Sequence, residues 1–302
     1  MNLNRTLLYS HLALLGANVI YGLNYSIAKI LMPDYIKPLG LVALRALVAT
    51  SLFWIFSSFF PREKVERKDL IYMLSFFMFG VFFNQVFFLL GLDKTTPINA
   101  SLIMLINPIL AIIFGVIILK EKFSGSRLAG VIIGMSGTAL LILGRGSFSF
   151  SSGSVMGDML ILLTAASWAL FLVVIKRMSS KYNSYTVMKW VFLFGLFPNL
   201  TIGFNQLTDV SFFNLPLLII LAFIYVTVFT SFLAYNMNIY GLKYVSPTVV
   251  STYVYIQPLV AVIVSIALGQ DRLNTIKIVS AVLVFTGVYL VSRNGDRAVR
   301  DV

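Results

Sequence analysis

Two prolines lie deep in apolar stretches, each preceded by a side-chain amide: Asn107-Pro108 and, 150 positions later, Gln257-Pro258. A proline inside a helix removes one backbone hydrogen bond and clashes with the turn before it. That frees the carbonyls near Met104 and Val254, which in an apolar medium must find protein or trapped water. An amide beside such a kink can both donate and accept. The pair suits the floor of a polar cavity. The plainer alternative is a packing kink whose amide bonds a neighbouring helix.

Other polar groups gather at helical spacing. Asn18, Tyr21 and Tyr25 share one face, and Gly80 and Asn84 a second. Thr164, Trp168 and Phe171 share a third, and Thr227, Ser231, Tyr235 and Asn238 a fourth. Such amides, hydroxyls and rings can hold a polar or planar small molecule, with Tyr253 and Tyr255 as further stacking surfaces. Equally they can bond helix to helix, and aromatic residues make up 14% of the chain, enough to serve as ordinary filler.

Charge inside the apolar stretches is one-sided. Lys29, Arg45, Lys176 and Lys189 lie in or at the edge of them, whereas all eleven acids fall in loops or near helix ends, such as Asp93 and Asp158. Unpaired bases attract a carboxylate or phosphate, or snorkel to lipid headgroups. His11 is the only histidine and there is no cysteine. Thiolate chemistry, His-based metal clusters and His–His relays are therefore excluded, and no metal or cofactor is expected. Asp, Glu and His chains, which commonly relay protons through membranes, are not visible either. No phosphate-cradling Walker A loop is present, which argues against ATP-driven work.

The elements that position these groups must be soluble in lipid. Of 302 residues, 59% are hydrophobic and 11% charged, against roughly 25% charged in a soluble chain. Mean hydropathy is +0.93. Eleven acids and twenty-three bases cannot coat a soluble surface. The net charge of +12 is scattered among apolar runs, so it reads as membrane orientation and not as a nucleic-acid surface. Ten stretches are near the ~20 residues a spanning helix needs: 7–32, 38–59, 70–92, 97–119, 128–144, 157–177, 185–204, 214–240, 247–269 and 274–292. The first should stay in the mature protein, because it is too long for a signal peptide and no small-residue cleavage pattern follows it. With the N-terminus inside, fifteen Lys and Arg fall in inner segments and five in outer ones. Both termini are thus expected in the cytoplasm.

An internal repeat organises these spans. Residues 91–143 align with 241–293 without a gap, matching Gly91/Gly241, Pro97/Pro247, Ser101/Ser251, Pro108/Pro258 and Gly137/Gly287. The charged hairpin Glu121-Lys122 has its counterpart in Asp271-Arg272. A unit of five helices is odd, so the second copy enters the membrane from the opposite side. The expected fold is an all-α integral membrane protein, with ten transmembrane helices as two inverted five-helix repeats. This architecture is typical of secondary transporters, whose sites lie near the bilayer midplane. The expected domains are 1–144 and 157–293, joined by a Ser/Gly-rich linker at 145–156 and followed by a cytoplasmic tail at 294–302.

The chain resembles the EamA-type branch of the drug/metabolite transporter superfamily over nearly its whole length. The resemblance rests on Tyr21 through Lys29, echoed by Trp168 through Lys176, on Arg45-Ala46-Leu47 and on the two proline-centred repeats. It implies export or exchange of small metabolites, often amino acids, and a cavity lined by helices one to four and six to nine. Helices five and ten would then be supportive.

The expected function is a secondary transporter, exporter or exchanger, of a small polar or amphipathic metabolite across the cytoplasmic membrane by alternating access. Its expected partners are a small-molecule solute and membrane lipid, without nucleic acid. Gly130, Gly134 and Gly137 permit close helix approach, within a monomer or across a homodimer. The candidate solute contacts are Asn18, Tyr21, Arg45, Asn84, Asn107, Trp168, Lys189, Tyr235, Asn238, Tyr253 and Gln257, with Pro108 and Pro258 as kinks. Alternatives are a non-transporting receptor or assembly subunit, a membrane enzyme, which these spans ill equip, or a transporter of a lipid-linked or cationic solute.

Overall fold

The computed structural model describes residues 3–119, 125–143, 153–213 and 215–293. Among these residues all regular structure is helical. The helices are α1 (Leu3–Leu31), α2 (Pro38–Ser57), α3 (Arg67–Lys94), α4 (Pro97–Ile118) and α5 (Gly125–Leu143). There follow α6 (Gly153–Lys181), α7 (Ser184–Thr208), α8 (Leu217–Tyr244), α9 (Pro247–Ala267) and α10 (Thr275–Arg293). Eight of them are long and apolar enough to cross a membrane; α5 and α10 carry the shorter apolar stretches Ile132–Leu141 and Thr275–Gly287. The chain is a multi-pass, all-α membrane protein.

Local chemistry sets several boundaries. Thr96 and Ser246 cap α4 and α9 by accepting from the backbone N–H of Asn99 and Val249, and each is followed by a proline at the first helical position, where its missing N–H costs nothing. The proposed linker needs one correction: 153–156 is helical, because α6 starts at Gly153 and Val155 is already buried. The rest of that linker, the hairpin Glu121-Lys122 and the tail 294–302 lie outside the described residues.

Packing follows the same pairing in both parts of the chain. Helix α6 packs on α3 and α4, and α1 packs on α8 and α9, while α2 pairs with α7 and α5 with α10. The α5–α10 crossing uses the small residues noted in the sequence. A Cβ on Gly287 would stand 2.4 Å from the Gly134 nitrogen and 2.6 Å from the Gly130 carbonyl oxygen. The glycines of α5 are thus engaged within the monomer.

Lys29 and Lys176 behave alike. The Lys29 ammonium donates to the carbonyls of Leu92, Asp93 and Thr95 at 2.8, 2.7 and 3.1 Å. Lys176 donates to the carbonyls of Leu242, Lys243 and Val245. These carbonyls end α3 and α8, where the helix leaves acceptors unpaired and its dipole favours a cation. Both lysines therefore clamp helix ends, and neither reaches for headgroups or solute.

At the end of the bundle holding the α6–α7 turn, Lys181 bonds Glu66 and Asp69, each at 2.6 Å. The Asn183 backbone N–H meets Glu63 at 2.9 Å. Hydrogen bonds from Lys181, then Lys68, hold the Glu66 carboxyl below its ordinary value.

Candidate functional site

The expected kinks are present. Before Pro108 the α-helical pattern of α4 breaks at 105–106, where Leu105 and Ile106 bond back three residues instead of four. Before Pro258 the chain tightens into a 3₁₀ turn at Tyr253–Tyr255. Two further irregularities escape a proline-based reading. Helix α3 contains a π-helical segment, Met78–Phe82, and α8 a longer one, Tyr225–Ala234. A π turn leaves backbone carbonyls to be satisfied elsewhere and is frequent at functional sites. Here Ser167 donates to the Phe79 carbonyl at 2.7 Å, and the Tyr235 hydroxyl lies 3.1 Å from that of Gly80.

Kinks and π segments surround one cavity between α1, α2, α3, α4, α6, α8 and α9. Its walls carry a connected polar network. The Tyr25 hydroxyl donates to Gln257 Oε1 at 2.8 Å, and Gln257 Nε2 donates to Asn18 Oδ1 at 2.7 Å. Asn18 in turn donates to the Leu14 carbonyl. On the opposite side the Tyr235 hydroxyl is 3.0 Å from Asn84 Oδ1. Tyr21, Trp168 and Tyr235 meet edge to face, with centroids 5.3–6.5 Å apart, an arrangement the ring quadrupoles favour. The space left for the centres of water-sized molecules is about 50 Å³. A single water needs roughly 10–15 Å³ by this measure, so the cavity as it stands has room for a few waters and a metabolite requires its walls to part.

Arg45 projects from α2 into this cavity and is 3% exposed. Its Nε donates to Ser231 Oγ at 2.7 Å. Ser231 is held by donating to the Val226 carbonyl within the π segment of α8. Arg45 Nη1 is buried without a hydrogen-bond partner.

Eight of the eleven candidate solute contacts come together here: Asn18, Tyr21, Arg45, Asn84, Trp168, Tyr235, Asn238 and Gln257. Three do not line the cavity. Asn107 is fully buried behind it and donates to the Ala165 carbonyl at 3.3 Å. Tyr253 lies toward the start of α9, its hydroxyl 2.6 Å from His11 Nδ1. Lys189 stands over the rings of Trp54 and Trp190, at 5.3 and 5.9 Å from their centroids. The cavity also recruits Asn24, Gln85 and Thr230. Gln85 follows Asn84 in an otherwise apolar run, and that isolated polarity was its signal. A strict helical repeat from Gly80 passes over it.

The EamA-like transporter family matches residues 8–143 and again 155–293. The chain is 28% identical to the uncharacterized transporter YyaM of Bacillus subtilis, over 93% of each protein. It is 26% identical to an uncharacterized transporter of Archaeoglobus fulgidus, covering 93% of this chain and 96% of that one. A WAT1-related protein of Arabidopsis thaliana is 26% identical, over 91% of this chain and 77% of its own length. A solved structure, described only as the crystal structure of a protein, shares the fold with a TM-score of 0.67 at 17% identity, covering 96% of this chain and 98% of that one.

Proposed function

The chain belongs to the EamA-like transporter family, and from that premise we propose that it is a secondary transporter that moves a small polar or amphipathic metabolite, such as an amino acid, by alternating access. It is a membrane transporter; the solute, the direction and the cycle are the proposal. The observation that carries it is the narrow cavity to which helices of both halves of the chain contribute, lined by amides, tyrosines and one arginine. In this reading the ten helices are two inverted five-helix repeats, 1–144 and 157–293. The protein sits in the cytoplasmic membrane with both termini inside, and works as an exporter or exchanger. The two copies exchange conformations, so the same cavity opens first to one side and then to the other. The kinks and π segments bordering the cavity are suited to this, since they interrupt the helical hydrogen-bond ladder where the walls must part.

The test is a metabolite screen. Cells overproducing the protein should release at least one small metabolite faster than cells that do not produce it. Purified protein in vesicles should then move that metabolite down its gradient or against a counter-solute. If neither cells nor vesicles show protein-dependent flux, the proposal fails and a receptor or assembly role takes its place.

A further inference from the structure

We infer that the cavity selects solutes carrying a single carboxylate, and that Arg45 is the residue that binds it. This deepens the transport reading and rests on it. The premise is charge balance. Arg45 is 3% exposed, and no Asp or Glu is among the described residues lining the cavity. A buried charge is costly unless something neutralises and hydrogen-bonds it. Nothing in the cavity wall does so: Nε is engaged by a neutral hydroxyl, Ser231, and Nη1 has no partner.

The geometry narrows the ligand further. With Nε pinned to Ser231, and Ser231 pinned to the Val226 carbonyl, the guanidinium cannot swing freely. What remains for a ligand is the Nη edge, where Nη1 has no partner, and that edge is a planar fork that matches the two oxygens of a carboxylate. Arg45 is also the only base among the described lining residues, because Lys189 lies outside the cavity over two tryptophans. One fixed positive charge balances one negative charge. A dianion would bring a surplus charge into the narrow space, and a cation would add to the existing one. The rings of Tyr21, Trp168 and Tyr235 form the neighbouring wall, so the solute's body can be apolar or flat.

Trp168 provides the reporter, since the chain has three tryptophans and the other two, Trp54 and Trp190, do not line the cavity. In the full-length protein carrying Trp54→Phe and Trp190→Phe, emission is followed while three probes of one shape are added: phenylacetate, phenylacetamide and phenethylamine. The expected result is a saturable change with phenylacetate, at a concentration about tenfold or more below that needed for the amide or the amine. Arg45→Gln should remove that preference, and Arg45→Lys should keep part of it. A preference below about tenfold, no saturable response to phenylacetate, or a preference that survives Arg45→Gln would overturn the inference. The three-probe series stands even if an Arg45 variant does not fold. Flux separates the two readings. Carboxylate-selective binding with no protein-dependent flux of any solute sinks transport, whereas flux of neutral or cationic solutes without carboxylate preference sinks only the Arg45 assignment.

Discussion

Positions that match across the two parts of the chain are treated in two ways. At the rim they do the same thing. Lys29 and Lys176 each clamp three carbonyls at a helix end, and Thr96 and Ser246 cap their helices identically. At the centre the partners have diverged. Gln257 joins Tyr25 and Asn18 on the cavity wall, while its partner Asn107 is buried against the Ala165 carbonyl. Arg45 enters the cavity, while Lys189 rests on tryptophan rings. The rim needs only to hold helices together, and equal contacts serve equal helices. In the proposed transport cycle the centre holds one solute. Metabolites are seldom twofold symmetric, so a wall that recognises one cannot be symmetric either.

The contrast can be broken experimentally, and the largest effect should come from the frame. In Gly287→Leu the new side chain meets the Gly134 and Gly130 backbone at 2.4 and 2.6 Å. Backbone cannot yield as a side-chain tip does, so the cost should reach the upper end of overpacking, roughly 3 kcal/mol. The expected outcome is little folded protein by size exclusion in detergent. Gly153→Ala, where nothing lies within 4 Å, should behave as the parent; normal yield of Gly287→Leu would mean that the α5–α10 crossing is not needed.

Next comes the diverged amide pair. Gln257→Ala leaves the Tyr25 hydroxyl and the Asn18 carbonyl oxygen without their partner, a loss of roughly 1–3 kcal/mol, or about 5- to 150-fold in apparent affinity. Asn107→Ala should lower the melting temperature and leave the apparent affinity for solute near that of the parent. Equal changes in affinity would put both amides in the site and restore the symmetry.

The smallest effect should be the rim lysines. Lys29→Met and Lys176→Met each lose hydrogen bonds from a half-buried ammonium. Partial solvent screening reduces each loss to roughly 1–2 kcal/mol. Parallel thermal melts should fall by similar amounts, with solute preference unchanged. A variant that melts normally while its partner falls would show that the two clamps are not equivalent.

Much of this was legible in the sequence, for identifiable reasons. The prolines, glycines and cap residues act through local sterics and hydrogen bonding, so Pro108, Pro258, Thr96-Pro97 and Ser246-Pro247 do in the structure what their types require. The polar faces of α1, α6 and α8 were also readable, because polar groups on an apolar helix avoid lipid. Gln85 carried the same signal but fell off the face read by helical spacing, since the π segment at Met78–Phe82 adds a residue to one turn and shifts the face that follows by roughly 100°. The roles of Lys29 and Lys176 were not readable. Their spacing is compatible with an anion site, with headgroups or with helix ends, and only the position of α3 and α8 chose the last.

Composition, spacing and repetition by themselves determined that the chain dissolves in lipid, runs as helices and repeats at an interval of 150. They also supplied the small set of polar residues from which a site could be drawn. Only the tertiary structure decided which member of each matched pair faces the cavity and which supports it. Periodicity fixes the residues that share a helix face. Where that face points is set by the rotation of each helix against its neighbours, and that is a property of packing.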